Sequence, residues 1–372
     1  MNPIEFPTPP SHILIIKPSA IGDIVHALPV LSLLRRKWPA ARITWLAASA
    51  CAGLLEGHPL LNDVIRFDRR RFGKGWRKPS AVAGLFGFTR ALRRRKFDLV
   101  IDLQGLFRSG WLTAVTGAPV RVGPAEAREF GWLFYTHRIP TGFPKEQAVD
   151  RYLAIAEALG LGKTPVEFVF ATTDADRRFV YDLVPAETRY AVLLPGTPWE
   201  TKRWPTEKFA ACVEPLREMY GLECIVAGGA SDRALAAQIP GARDLTGKTN
   251  LRQLVALLER AALVIANDTG PMHIAAALGR PMVSIYGPTS PHRTGPYGRL
   301  GSVVQLDIPC SPCYNRTCSH TSCMKKLGVE SIMAMAAEQL DPATASTRTT
   351  PLIVAPMQGM FAGEIATIQP RR

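Results

Sequence analysis

Four stretches of the chain hold residues whose types and spacing suit chemistry. From Leu263 to Thr289 the sequence reads LVIANDTGPMHIAAALGRPMVSIYGPT. Leu263 to Ala266 predicts a buried strand, Asn267-Asp268-Thr269 supplies capping oxygens, and Gly270-Pro271 opens a helix whose first amides are free for an anion. His273 lies one turn beyond Thr269. The stretch Leu193 to Pro205, LLPGTPWETKRWP, again follows a strand with a polar loop. There Lys202 and the Thr197 hydroxyl suit a diphosphate, and a solvent-facing basic loop pinned by Trp199 and Trp204 is an equally good reading. Ala227-Gly228-Gly229 ends the next strand ahead of Ser231-Asp232. Asp232 either holds ribose hydroxyls or, the reading the local sequence favours, opens a helix. Near the N-terminus ILIIKPSAIGD places Asp23 just past a strand, where it caps the following helix or takes a proton from a hydroxyl.

A fifth cluster is Cys310-x2-Cys313-x4-Cys318-x4-Cys323, with His320 between its last two members. The spacing is that of a zinc knuckle with Cys in place of the His. Structural zinc, an iron cluster and unligated thiols all stay open, while a reducing cytosol argues against a stable disulfide.

These residues need strand edges to hold them, and the chain supplies them in alternation. Apolar runs at His12 to Ile16, Arg42 to Ala47, Val64 to Phe67 and Leu99 to Leu103 predict strands, with helices at Gly22 to Arg36, Ala81 to Arg95 and Gln147 to Leu159. A polar stretch, Thr172 to Glu187, precedes a second series. Its strands fall at Tyr190 to Leu194, Glu223 to Ala227, Leu263 to Ala266 and Met282 to Tyr286, with helices at Phe209 to Tyr220 and Leu251 to Arg260. The alternation predicts α/β architecture with two Rossmann-like parallel sheets, whose ligands sit at the carboxyl ends of the strands. The expected organisation is an N-terminal domain over 1–178, a join near 175–188, a second domain over 188–340 and an appended tail over 341–372.

With 372 residues the chain exceeds what one core usually serves. Its 45 Lys and Arg against 31 Asp and Glu give a formal charge of +14, which points to a polyanionic partner: nucleic acid, an anionic membrane surface or a phosphorylated substrate. Much of the positive charge falls early, in Arg69-Arg70-Arg71, Lys74, Arg77-Lys78, Arg90 and Arg93 to Lys96. No apolar run is long enough to span a bilayer, and the N-terminus lacks the pattern of a secretory signal, which predicts a cytoplasmic location.

Taken together, IIKPSAIGDIVHALPVL, DLQGLFRSG, PGTPWETKRWP and NDTGPMHIAAALGRPMVSIYGPT resemble glycosyltransferase family 9, the bacterial heptosyltransferases of lipopolysaccharide core assembly, in consistent order over residues 12–335. REFGWLFYTHR and QAVDR resemble the first heptosyltransferase of that assembly. The resemblance implies a GT-B fold, two Rossmann-like domains with parallel sheets facing a cleft, and an inverting, metal-independent enzyme. It implies heptose transfer from ADP-heptose to an anionic, lipid-linked Kdo acceptor, with no catalytic cofactor, peripheral contact with the cytoplasmic face of the inner membrane, a monomer, and no nucleic-acid partner. Asp23 is then the general base. Thr197 and Lys202 hold the diphosphate, Asp268 the heptose hydroxyls, and Thr269, Gly270, His273, Thr249 and Asp232 complete the donor side. Pro198 follows Thr197 where relatives can carry a second hydroxyl, which leaves one hydroxyl fewer for the diphosphate. Ser19, Gln104, Arg69, Arg70, Arg108 and Arg128 are the acceptor candidates, and His26 is read as structural.

Three alternatives belong beside this reading. A cysteine segment like Cys310 to Cys323 also occurs in members resembling the second heptosyltransferase, whose acceptor is a heptose. A basic zinc-knuckle protein would bind RNA through the same cysteines. A GT-B-shaped epimerase, or a transferase of another nucleotide sugar, would keep the fold and change the donor.

Overall fold

The computed structural model describes residues 3–68, 79–341 and 350–354, and it divides into two compact units, 1–171 and 172–372. In the first unit six strands form one parallel sheet: β1 (His12–Ile16), β2 (Arg42–Ala48), β3 (Asp63–Phe67), β4 (Leu99–Asp102), β5 (Val120–Pro124) and β6 (His137–Ile139), in the order β3-β2-β1-β4-β5-β6. β1 is central because it is apolar on both faces: Ile13, Leu14, Ile15 and Ile16 are all 0 % exposed. Ile16 pairs with Leu46 on one side and Asp102 on the other, which brings the ends of β1, β2 and β4 to one edge. The Ile21–Lys37 helix starts at that edge with Asp23 in its first turn and ends in Arg35, Arg36 and Lys37, charges that complement its dipole. It buries nearly every residue from Gly22 to Leu34, His26 included, and packs against the Ala148–Ala158 helix.

The second unit repeats the plan: β7 (Tyr190–Leu194), β8 (Glu223–Val226), β9 (Arg243–Asp244), β10 (Leu263–Asn267), β11 (Met282–Tyr286), β12 (Val303–Leu306) and β13 (Leu352–Val354) pair in parallel in the order β13-β12-β11-β10-β7-β8-β9. β7, β10 and β11 are buried throughout. Since β7 and β10 are neighbours on opposite winding paths, their ends form the place where such sheets bind ligands.

Three expectations need correction. The polar stretch read as a join holds a helix, Asp174–Leu183, closed at its start by a capping box between Thr173 and Asp176, and it packs on the Leu251–Arg260 helix of the second unit. Part of the tail is also structural, because Leu352–Val354 adds a parallel strand to β12 and Leu352 is 3 % exposed. The single helix expected over Phe209 to Tyr220 is two, Thr206–Ala211 and Val213–Tyr220.

Candidate active site

In the second unit the expected donor residues gather at the ends of β7 and β10. Lys202 follows β7 in a single turn of 3-10 helix, Glu200–Lys202, and its Nζ donates to Asp268 Oδ2 at 2.6 Å. Thr289, in the loop after β11, donates its hydroxyl to the same oxygen at 2.7 Å. The Thr197 hydroxyl donates to the Asp268 carbonyl at 3.4 Å, and Arg203 donates twice to the Thr197 carbonyl, at 3.2 and 3.0 Å. Both charged partners are shielded from water, with side-chain exposures of 14 % for Lys202 and 7 % for Asp268, so their attraction is weakly screened. Asp268 in turn helps hold the buried Tyr286 hydroxyl protonated: burial raises its pKa most, and the Asp268 charge adds to it.

The capping oxygens expected at Asn267-Asp268-Thr269 are used elsewhere. Asn267 donates to the Pro195 carbonyl at 2.8 Å and accepts from the Trp204 amide at 3.1 Å, which ties β10 to the loop after β7. Thr269 is the N-cap of the Gly270–Ala277 helix in position, but its side chain makes no capping bond. The Thr269 side chain therefore leaves the first turn without a cap of its own, and the half-buried Gly270 and the buried His273 lie in that turn.

Asp232 behaves as a helix-opening residue, since its Oδ2 accepts from the Gly229 amide at 2.9 Å. It nevertheless lies against the same loop: a Cβ on Gly196 would stand 2.5 Å from its carboxyl carbon, and one on Gly228 2.5 Å from its Oδ2. Glycine at both positions is what lets the carboxylate approach. Thr249 is half-buried immediately before Asn250, which caps the Leu251–Arg260 helix.

In the first unit Asp23 both caps and faces a polar cluster. Its Oδ2 accepts from the Ala20 amide at 3.0 Å, while Oδ1 lies 3.6 Å from Lys17 Nζ and 3.4 Å from the Tyr152 hydroxyl. With a side-chain exposure of 40 %, Asp23 can be reached by a substrate, whereas Lys17 is 3 % exposed. Burial works against the Lys17 ammonium, but Asp23 and Tyr152 outweigh it and raise its pKa above the usual 10.5. Lys17 also donates to the Leu103 carbonyl at 3.1 Å and stands 5.0 Å from the Tyr152 ring centre.

Sequence reasoning missed Lys17, Tyr152, Thr289 and the buried Asp102. A charged residue directly after four buried aliphatics was a usable signal for Lys17, because such a residue needs a partner. Nothing in the sequence links Tyr152 to Asp23, 129 positions away.

Of the acceptor candidates, Ser19 and Gln104 follow the neighbouring strands β1 and β4 and are half-buried, and the Gln104 Oε1 is buried with no hydrogen-bond partner among the described residues. Arg108 and Arg128 are exposed, and the Arg128 amide donates to the Gly105 carbonyl at 2.9 Å, so these two loops adjoin. Arg69 and Arg70 lie outside the described residues.

The four clustered cysteines share the lining of one small cavity with His320, Thr201 and Pro288, and all are free thiols. Burial, and then the neighbouring thiols, push Cys323 up to about 11. Among the described residues no group of three or more His, Cys, Asp or Glu side chains is arranged to hold a metal ion, so structural zinc, one of the three readings left open for this cluster, is not shown. The segment does support the donor loops: the Cys313 and Tyr314 amides donate to the Pro288 carbonyl at 3.0 and 2.7 Å. Arg316 stacks 4.0 Å from the centre of the Trp199 ring, on which Lys202 also rests at 4.5 Å.

The family model of glycosyltransferase family 9 (heptosyltransferase) matches residues 85–324. The lipopolysaccharide heptosyltransferase 1 of Pseudomonas aeruginosa is 30% identical over 354 residues, covering 92% of this chain and 98% of its own. The chain belongs to glycosyltransferase family 9. Lipopolysaccharide heptosyltransferase 2 of Escherichia coli is also similar, at 26% identity over 79% of this chain and 88% of that one. Among solved structures, E. coli heptosyltransferase WaaC with ADP-2-deoxy-2-fluoro heptose matches with a TM-score of 0.71 and 27% identity, covering 88% of this chain and 99% of that one.

The fold is accordingly GT-B, built from two Rossmann-like units. The protein is a heptosyltransferase of lipopolysaccharide core biosynthesis. Among the described residues no helix is long and apolar enough to cross a membrane.

Proposed function

We propose that this family 9 enzyme transfers heptose, with inversion, from ADP-heptose to a Kdo sugar of a lipid A precursor at the cytoplasmic face of the inner membrane. It acts as a monomer and draws on no metal. The observation that carries the donor side is the shielded Lys202–Asp268 pair beside a helix start without a side-chain cap. An ammonium has three N–H donors. One goes to Asp268, which leaves two for diphosphate oxygens, while the amides of the Gly270–Ala277 helix take further negative charge. The Asp268 carboxylate accepts hydrogen bonds from the heptose hydroxyls. Support for ADP-heptose comes from the donor analogue held by the similar WaaC structure.

Asp23 is the base. Its Oδ1 takes the proton of the acceptor hydroxyl as that oxygen bonds to the heptose anomeric carbon, and the bond from that carbon to the diphosphate oxygen breaks on the opposite face. ADP leaves with the electron pair, its charge met by Lys202 and the amides. Lys17 stands as the countercharge of Asp23, 3.6 Å from Oδ1, and the Tyr152 hydroxyl donates to the same oxygen at 3.4 Å. Ser19, Gln104, Arg108 and Arg128, with Arg69 and Arg70, receive the acceptor's hydroxyls, carboxylates and phosphates.

The test is transfer by purified protein, followed as mass gain on acceptors ending in Kdo or in heptose. Asp23→Ala should fold, bind ADP and lose about 10²–10⁴-fold in turnover, as expected for removal of a general base. Near wild-type turnover in that variant, or transfer only to the heptose-ending acceptor, would overturn the corresponding part of the proposal.

A further inference from the structure

Soluble surfaces scatter their exposed apolar side chains, yet the first unit groups three of its largest in one place. Phe107 is 49 % exposed, Phe130 67 % and Leu133 55 %. Phe107 opens the Phe107–Val115 helix after β4, and Phe130 and Leu133 belong to the turn around Gly131–Phe134 after β5. The two pieces are locked together. A Cβ on Gly131 would stand 2.9 Å from the Leu106 carbonyl carbon, so only glycine lets the turn press this closely beside Phe107. Beneath them the Phe107 and Phe134 rings meet edge to face at 5.2 Å.

The backbone holds this tip in a costly shape. Glu129 and Phe130 are consecutive non-glycine residues in the left-handed region, with φ of 56° and 60°. An aromatic residue there costs conformational energy, and it turns the Phe130 ring outward rather than toward the core. Hydrogen bonds keep the turn in place: the Gly131 amide donates to the Arg128 carbonyl at 2.9 Å, and the Leu133 amide to the Phe130 carbonyl at 3.1 Å.

Around the apolar tip the charge is mainly positive. Arg108 and Arg128 are exposed and, among the described residues, neither pairs with a carboxylate. Of the nearby acids, Glu129 is exposed, while Glu126 is occupied by the amide and hydroxyl of Thr141 at 3.0 and 3.1 Å. Asp102 is fully buried. Exposed apolar side chains flanked in the chain by two arginines against one exposed glutamate match a bilayer surface of anionic phospholipid, where the apolar groups enter the headgroup boundary and the guanidinium groups meet phosphates. The tip lies at the same carboxyl edge of the sheet as Asp23 and Gln104, because β4 and β5 both end there.

We propose that Phe107, Phe130 and Leu133, flanked by Arg108 and Arg128, form the surface by which the enzyme docks on an anionic membrane. Docking of this kind rests on the proposed lipid-linked acceptor for its purpose, but it is measurable without catalysis. The probe is sedimentation of the full chain with phosphatidylcholine vesicles, with and without phosphatidylglycerol. The wild type should pellet with the anionic vesicles and be released by high salt. Phe130→Asn with Leu133→Ser should lower partitioning at least about tenfold, since two apolar side chains no longer enter the lipid. Asn accepts the left-handed backbone, so circular dichroism and the thermal midpoint should be unchanged. Phe130→Trp should restore binding. Wild-type protein that ignores anionic vesicles, a double variant that pellets like the wild type, or self-association through these residues without vesicle binding would each overturn the proposal. Transfer to a deacylated, water-soluble acceptor separates the two readings: both proteins should catalyse it equally, and its absence in the wild type would fail the catalytic reading while leaving the vesicle result in force.

Discussion

Asp102 and Asp268 occupy corresponding places in the two units. β4 lies beside β1 as β10 lies beside β7, and Asp102 closes β4 while Asp268 directly follows β10. Their surroundings differ. Asp102 is 0 % exposed, and its oxygens accept from the Tyr135 hydroxyl at 2.6 Å and from the Gln104 and Gly105 amides at 2.8 and 3.2 Å. Burial raises its pKa, with those hydrogen bonds opposing the shift, and it makes no ion pair among the described residues. Asp268 has a lysine ammonium at 2.6 Å and stands beside an uncapped helix start. The lysine of the first unit, Lys17, lies 3.6 Å from Asp23 instead. A strand end positions a carboxylate in both units, but one is paired with a lysine ammonium and the other is held by a tyrosine hydroxyl and loop amides.

The sharpest way to break this comparison is to remove both charges and compare losses. On the proposed donor site, Asp268→Asn should lower transfer by about 10²–10³-fold, because Lys202 loses its only ion-pair partner among the described residues. Its thermal midpoint should shift by only a few degrees. A turnover within about threefold of wild type, read in the mass assay, would place Asp268 outside the donor site.

Asp102→Ala should do the reverse. It leaves the Tyr135 hydroxyl and two loop amides buried without an acceptor, a cost of about 3 kcal/mol, or roughly 6–12 °C in the midpoint of the first unit by calorimetry. A midpoint unchanged within error would mean that the carboxylate does not hold the loop.

The smallest expected effect is a pH dependence. Lys17 has its folded pKa raised above 10.5, and Tyr152 is also raised, by burial first. A raised folded pKa contributes stability that is complete below the unfolded value and is lost as pH climbs through the folded one. The wild-type midpoint should therefore hold to about pH 10 and then fall, and Lys17→Met should start lower and fall less steeply. Equal alkaline slopes in the two proteins would remove the Lys17–Asp23 pair from the account.

Much of the fold was legible in the residues themselves. His12–Ile16, Tyr190–Leu194, Met282–Tyr286 and the Leu251–Arg260 helix match their predicted bounds, because the strands are mainly apolar runs and the helix is an amphipathic stretch with an Asn250 cap at its start. The positions of Asp23, and of Lys202 and Asp268, in their own units were legible for a related reason: they follow strand ends, and in each parallel sheet the strand ends gather at one edge. The Asp174–Leu183 helix was missed although Thr173 and Asp176 carry its capping pattern, since a polar composition masked a strong local signal. β5, β6, β9, β12 and β13, two to five residues each, were missed because runs so short have little readable period.

The sequence by itself determined which residues are available for chemistry and on which strand ends they lie, because local apolar patterns dictate strands and helices. Only the tertiary structure decided their partners. Tyr152 reaches Asp23 across 129 positions, Thr289 and Lys202 meet on one oxygen of Asp268, and Asn267 is drawn away from capping to the loop after β7. Those pairings depend on which strands become neighbours. Strand neighbours are chosen by burial of the whole sheet, a long-range term that no short stretch of residues contains.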